Sequence, residues 1–527
     1  MRKFYQIWIP IFLVCLVATA ANAQSFQVQC PTSTVTHPTA ANNLSEPTYT
    51  APTTYSTAAG GYQTPISNAN GAIKCQQISG GDGYATMADG TQIYMFSFGP
   101  LSGLADIAAG KPGTQFPNVF NTVAPQQLLP GDPATTVDAG GLFTWNGAVG
   151  LAPDTDAIAN GLCTAPCLDG HVDPRPIMDV GVMNGNIPAP MMAIDEDDEF
   201  FLTLTNVGMI MRPDLFEQHT VHFHGYPNAS NFYDGVPDAS VAINIGGSFT
   251  YYYLAPDAGT YFWHCHITPP EHLQMGMVGQ LYVRPRQNRV PVGTDLYSSL
   301  QTQQLDPRTK CDSSDILCSN PLPTADNKVT QAIDANGAPV KYAYNDGDGS
   351  TAYDVEYPIQ IHGFDPNFHF VGMTFNPEAF TDMKDKYFLL NGRSYPDTVT
   401  PHALETQTTD GSNHFSQPLN SIISIPAGKK ALLRISDLDV TEYQTLASLG
   451  IPMRVVGFNA KLLRDQAGNN MSYVTNSITL AGGESLDVIL DTTGIPAGTY
   501  YLYTPNLDHL ANDAENFGGL MTEVRVN

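Results

Sequence analysis

The chain has 527 residues and a formal net charge of −27, with 50 acidic against 23 basic side chains. That length suits about two to four domains rather than one small one. The acidity excludes nucleic acid and anionic lipid as electrostatic partners and favours cationic ones, such as metal ions, amines or a basic protein.

Arg2 and Lys3 precede an apolar run from Ile7 to Ala18, and Ala21-Asn22-Ala23 fits a small-residue cleavage site. Residues 1–23 therefore read as a signal peptide. The run is short for a bilayer span, and no later segment is apolar enough to cross one. A secreted protein with no membrane span is expected, periplasmic or extracellular. Residues 24–84 are rich in Thr, Ser, Ala and Pro and read as an irregular extension.

From residue 85 short β-branched and aromatic runs alternate with Gly, Pro, Asp and Asn: TQIYMFSF, EFFLTLTNV, SFTYYYLAP, TYFWHCHI and GQLYVRP. This predicts strands of a sandwich or barrel over residues 85–290. Residues 291–350 lose the pattern and read as a linker, and 351–527 form a second strand-rich block. The blocks end alike: Ala258-Gly-Thr-Tyr in the first matches Ala497-Gly-Thr-Tyr in the second, each followed by a Gly/Met segment. An internal duplication is predicted, with the chemistry kept in one copy.

Eight cysteines are present, and Cys15 leaves with the signal. Cys30, Cys75, Cys163, Cys167, Cys311 and Cys318 fit three disulfides of an oxidising compartment. Local pairing suggests Cys163–Cys167, Cys311–Cys318 and then Cys30–Cys75, with other connectivities open. Cys265 is the odd thiol.

Cys265 lies in YFWHCHITPPEHLQMGM, residues 261–277. Side chains alternate along a strand, so His264 and His266 share one face and Cys265 takes the other. A type 1 copper site wants one thiolate, two imidazoles and a weak thioether. His272 and Met277 follow on the next turn, and His219 opens EQHTVHFHG, residues 217–225. His222, His224, His264 and His266 remain as four imidazoles for a second site.

HTVHFHG resembles the H-P-x-H-x-H-G motif of multicopper oxidases, and HCHITPPEHLQMGM their H-C-H-x3-H-x3-G-M motif. GNIPAPMMAIDEDDEFFLTLTNVG, FLLNGRSYPDT and SIPAGKKALLRISD resemble other strands of that family. The resemblance implies an all-β chain of two cupredoxin-like Greek-key β-sandwich domains. It implies a copper-dependent oxidoreductase that oxidises a small-molecule or metal-ion electron donor (a phenol, an amine or a low-valent metal) and reduces oxygen. A basic electron-transfer protein is a further partner consistent with the charge. His219, Cys265 and His272 would bind the type 1 copper with Met277 axial, His222 a type 2 copper, and His224, His264 and His266 the type 3 pair.

Two departures stand out. Seven residues separate Cys265 from His272 where the family has five, through an insertion around Pro269-Pro270. A complete trinuclear cluster needs eight histidines, and the other histidines of the mature chain, His37, His171, His362, His369, His402, His414 and His509, form no HxH pair. The first alternative is a copper nitrite reductase-like enzyme. There His224 and His264 would hold a type 2 copper completed across a homotrimer, with His509 as a candidate third ligand. The second alternative is a non-enzymatic type 1 electron carrier. Elsewhere, the acidic run Asp195–Phe200 reads as a solvated face rather than a cation site, NDGDGS as turn chemistry, and His362 and His369 as structural.

Overall fold

The computed structural model describes residues 33–39, 45–57, 63–100, 145–146, 149–153, 160–161, 168–173, 185–209, 212, 215, 217–225, 231–245, 247–255, 257–306, 318–372, 379–407 and 413–527. The signal peptide and Cys30, Cys163, Cys167 and Cys311 lie outside them.

The first block contains β1 (Ile73–Thr86), β2 (Gln92–Pro100), β3 (Met192–Asp195), β4 (Glu199–Gly208), β5 (His222–Phe223), β6 (Ser248–Leu254), β7 (Gly259–His264), helix α1 (Pro269–Gln274) and β8 (Val278–Arg284). They build two four-stranded sheets, β6-β4-β1-β2 and β5-β7-β8-β3. Ile78, Phe98, Leu202 and Tyr251 of one sheet share a buried core with Phe223, Trp263, Leu281 and Met192 of the other. The two sheets therefore pack face to face as a sandwich.

Past α2 (Leu296–Gln303), the second block has β9 (Val355–Phe364), α3 (Pro366–Gly372), β10 (Tyr387–Leu390), β11 (Ile423–Ile425), β12 (Lys430–Asp437), β13 (Gln444–Leu449), β14 (Met453–Phe458), β15 (Ser477–Leu480), β16 (Ser485–Asp491), β17 (Gly498–Tyr503) and β18 (Met521–Val526). Its long strands run β14-β16-β12-β9-β10 in one sheet and β11-β18-β17-β13-β15 in the other. Those orders repeat the first block's, each sheet gaining one strand, β14 or β15. The parallel pairs recur as well: β1 with β4 and β3 with β8, then β9 with β12 and β11 with β18. Gly259 and Gly498 open equivalent strands at φ 145° and 159°. At Gly259 a Cβ would sit 2.5 Å from the Ala460 backbone, so only glycine fits. The expected all-β pair of sandwiches and the duplication both hold.

The register shows what the second copy lost. His222 stands opposite His264 in the first block, and Ala447 opposite Tyr503 in the second. The strand that leads into the HCH motif and its neighbour β8 lie against this second copy: Thr260 Oγ1 donates to Asp487 at 2.7 Å, and Gln280 Nε2 to the Arg434 carbonyl at 3.0 Å. Glu356 joins the blocks, bridging Arg284 at 3.0 Å and Arg434 at 2.7 Å.

Two expectations need correction. The extension read as 24–84 ends earlier, because Ile73–Thr86 is an interior strand of the first sheet. Its Gly80-Gly81 pair and polar run (Lys74, Gln76, Gln77) hid the strand from a hydrophobic pattern. The acidic run is not a solvated face either. Asp195, Glu196, Asp197, Asp198 and Glu199 are all buried. Lys74 pairs with Glu46, with Asp198 at 3.0 Å and with Asp195 at 3.6 Å. Asp197 takes Arg286 at 2.7 Å and Arg289 at 3.3 Å. Buried carboxylates persist only where such partners meet them. Glu46, Asp195 and Asp198 lie close enough to share an ion, but the Lys74 ammonium already holds that position. The NDGDGS turn is as expected: Asp346 carboxylate oxygens accept the backbone N–H groups of Gly349 and Thr351.

His37 clips residues 33–39 onto the same turn. Its Nδ1 lies 2.7 Å from Glu199, to which Thr34 also donates. Burial pulls the imidazole down, but the bond and attraction to Glu199 outweigh it and leave His37 above its ordinary 6.5. Burial pushes Glu199 up, but bonds from His37, Thr34 and Tyr252 leave it below 4.5. The imidazole's stabilisation is complete below about 6.5 and is lost as pH rises through its raised folded value. The carboxylate's is present above about 4.5 and is lost as pH falls through its lowered value. Hydrogen exchange at the His37 amide, corrected for intrinsic rate, is expected to show less protection at pH 8.5 than at 5.5. Equal or greater protection at the higher pH would refute the clip.

Candidate metal centres

The first centre forms where β5 and β7 leave their sheet. The backbone N–H of Cys265 donates to the Met277 carbonyl at 3.0 Å, and the N–H of Met277 to the His272 carbonyl at 2.9 Å. These bonds tie the thiol, the second imidazole and the methionine into one knot. His219 reaches the knot from the strand opposite, fixed by paired backbone bonds to Ile243 at 3.1 and 2.9 Å. One ligand atom each from His219, Cys265 and His272 lies within 4.8 Å of the others. Met277 is wholly buried in the same core. The Thr220 N–H points at the Cys265 sulfur from 3.4 Å.

Both imidazoles are fully buried, yet none of their four ring nitrogens has a hydrogen-bond partner. Each orphaned polar group costs about 1–3 kcal/mol. A metal ion taking one nitrogen from each ring, together with the sulfur, offsets that cost. One thiolate and two imidazoles is a donor set suited to copper or zinc. Space for the first ring is made by Gly80, where a Cβ would lie 2.5 Å from His219 Cδ2. The insertion between Cys265 and His272 folds into α1. Thr268 adopts φ 37°, Pro269 and Pro270 start the helix, and the turn brings His272 back inside.

Burial sets the protonation of this centre. It pushes the Cys265 thiol up to about 11 and pulls His272 down to about 3. His219 falls well below its ordinary value, through burial and then through His272 beside it.

The second centre lies across the strand. His222, His224 and His264 offer nitrogens within 4.8 Å of one another, with His224 Nε2 2.9 Å from His264 Nε2. The His266 ring stands 5.2 Å from that of His222 and 5.6 Å from that of His264. His222 Nδ1 is held by the Asp234 carbonyl at 2.7 Å, and His264 Nδ1 by the Cys265 carbonyl at 2.6 Å. Each bond fixes the ring and occupies Nδ1, so that Nε2 is the nitrogen that would meet a metal. Burial first, then neighbouring imidazoles, lowers His224 to about 4; burial leads in lowering His264 to about 3. A cavity of about 380 Å³ opens on His224 and His264, and its far wall is Asp439, Thr441, Glu442 and Gly483 of the second block.

All eight predicted site residues thus gather into two adjacent groups. His509 does not join them within the chain. It stacks on Phe388 at 3.9 Å, and its nitrogens face Gln444 at 2.9 Å and Glu442 at 3.0 Å. His37 serves the clip, and His362 and His369 turn Nε2 toward Gln274. Thr220, Asp234 and the cavity wall were not singled out in the sequence. Their residue types are common, and only folding brings them to the site.

Residues 170–288 match the family model for multicopper oxidase. A segment of 109 residues is 34% identical to "Laccase abr2" of Aspergillus fumigatus, covering 20% of this chain and 17% of that protein. Another of 106 residues is 34% identical to the copper-containing nitrite reductase of Neorhizobium galegae, covering 20% of this chain and 25% of that one. The matched segments thus span about a quarter or less of these curated relatives. The structure of a blue copper oxidase from Nitrosomonas europaea aligns over 86% of both chains at 16% identity, with a TM-score of 0.47.

Near neutrality the first centre's imidazoles are neutral and its thiol protonated, so each ion bound at Cys265 expels one proton. Apparent affinity for a spectroscopic test ion such as Co²⁺ is expected to rise about ten-fold per pH unit between pH 6 and 9. Cys265→Ser is expected to abolish that slope. A flat profile for the native chain would show that the thiol takes no part.

Proposed function

From the match of residues 170–288 to the multicopper oxidase family model, we propose that the chain is a copper-dependent oxidoreductase, taking single electrons at a type 1 copper and reducing oxygen at a second copper site. His219, Cys265 and His272 would hold the first copper, with Met277 buried beside them, and His222, His224, His264 and His266 would hold the second site. The observation that carries this reading is the buried pair His219 and His272, with four unpartnered nitrogens around a free thiol. Copper bound there supplies reversible one-electron chemistry.

The chain's own residues do the rest. Cys265 is bonded through its backbone to both His264 and His266, and His264 Nδ1 also bonds the Cys265 carbonyl, so the two sites share a covalent and a hydrogen-bonded link. The buried first site is kept from water by Phe96, whose ring meets His272 edge-on at 5.2 Å. The cavity over His224 and His264 receives the acceptor, and Glu442 on its wall is backed by His509. A small-molecule or metal-ion donor delivers electrons at the His272 side, where Glu217 stands 3.9 Å from the ring and favours cations.

Export through the signal at residues 1–23 belongs to the same reading. The even set of six cysteines besides Cys15 and Cys265 supports an oxidising compartment. Among the described residues, no helix is long and apolar enough to cross a membrane. The same reading divides the chain into a copper-binding block up to residue 290, a linker over 291–350 and a copper-free block from 351, and the two separate sets of sheets support it.

One observation favours a second reading. Among the described residues four imidazoles meet at the second site, a number suited to a single ion, as in a nitrite reductase-like enzyme completed within a homotrimer. Copper per chain, measured with electron paramagnetic resonance on the copper-loaded protein, separates the two. About four coppers, half of them silent, are expected for the oxidase. Two coppers, one type 1 and one type 2, would replace it with the nitrite reductase-like enzyme, and a lone type 1 signal with an electron carrier. Cys265→Ser is expected to remove the blue absorption and all turnover; turnover that survives would sink the assignment.

A further inference from the structure

Helix α1, which carries His272, has six residues, and its N-cap Thr268 makes no side-chain capping bond. Helices this short do not hold themselves. Leu273 packs with Phe262, Val278 and Leu438, but apolar contacts carry little direction of their own. The last residue of the helix supplies what is missing. Gln274 is wholly buried, and its polar groups outside the helix all go to the second block. Its carbonyl accepts from His362 Nε2 at 3.1 Å. Its Oε1 accepts from His369 Nε2 at 2.9 Å and from the Asp365 N–H at 3.2 Å. Its Nε2 donates to Asp385.

Geometry fixes the protons. Both histidine Nε2 atoms face carbonyl oxygens, so both carry hydrogen, and their Nδ1 atoms are bare. Those Nδ1 atoms are buried without partners, a cost accepted so that both rings can serve Gln274. His369 is further set by stacking on Phe364 at 5.1 Å. Asp385 is held in turn by Thr441, which also bonds Asp439 at 3.0 Å. The clasp therefore rests on the wall of the cavity over His224 and His264.

We propose that Gln274 is the positioning residue through which the copper-free second block holds His272, and thereby raises the reduction potential of the first centre. This rests on the copper reading above. A held loop keeps the ligands from following the flatter geometry that Cu(II) prefers, so it disfavours the oxidised form.

The test uses the full, copper-loaded chain. Gln274→Leu removes the side chain's share of the clasp and keeps the volume near Leu273. His369→Phe keeps the ring and its stack on Phe364 and deletes one donor from the second block. In each variant cupric affinity is expected to gain about ten-fold on cuprous affinity, a fall of about 59 mV for one electron. The type 1 hyperfine splitting should shift in the same samples. A double variant should fall by less than the sum, because both changes break one clasp. A potential and spectrum unchanged in both variants, or a rise, would overturn the proposal. His369→Phe alone decides the matter if Gln274→Leu does not fold. Failure of the copper reading would look different: the unmodified chain would then show no type 1 signal at all.

Discussion

The pairing of β5 with β7 sets His222 opposite His264, and one residue later the chain turns Cys265 to the other side. Because strand side chains alternate, this single register serves two centres from one stretch. Slip it by one residue and the thiol faces the imidazole cluster while the imidazoles face the core. The rest of the first block protects that register. Trp263 stacks on Phe98 at 5.3 Å beneath it, Thr220 bonds both Cys265 and His266, and Gly80 opens room for His219.

The second block is best understood as a copy released from that duty. Where the first pairs His222 with His264, the second pairs Ala447 with Tyr503. Its sheet order is unchanged, so the loss of ligands cost nothing in fold. Its polar residues have been turned instead toward the first block. Asp487 receives Thr260, Ser436 receives Gln280, and His362, His369 and Asp385 converge on Gln274. The second block thus supplies the walls and ties of a site built in its neighbour.

Local periodicity made most strands readable, and the motifs made the two ligand groups readable, because each ligand lies within a few residues of another on one strand or turn. What escaped was what depends on distant partners. Asp195–Glu199 reads as solvated until Lys74, Arg286 and Arg289 arrive from 89 or more residues away in sequence. The strand Ile73–Thr86 was hidden by its own polar residues, which are buried in the folded chain. Gln274 carried no signal in the sequence, since a glutamine after a ligand is unremarkable until four groups of another block close on it.

The buried acidic turn has a consequence for how the molecule meets its surroundings. A chain this acidic would ordinarily be sensitive to ionic strength, because counterions screen exposed charges within about 10 Å at 0.1 M. The five carboxylates of this turn lie inside, and Asp195, Asp197 and Asp198 have Lys74, Arg286 and Arg289 beside them. Mobile ions do not enter that space, and the penalty for keeping charge out of water shrinks on warming. The junction of N-terminal segment, first sandwich and linker is therefore held by charge in a way that brine leaves intact and heat weakens least.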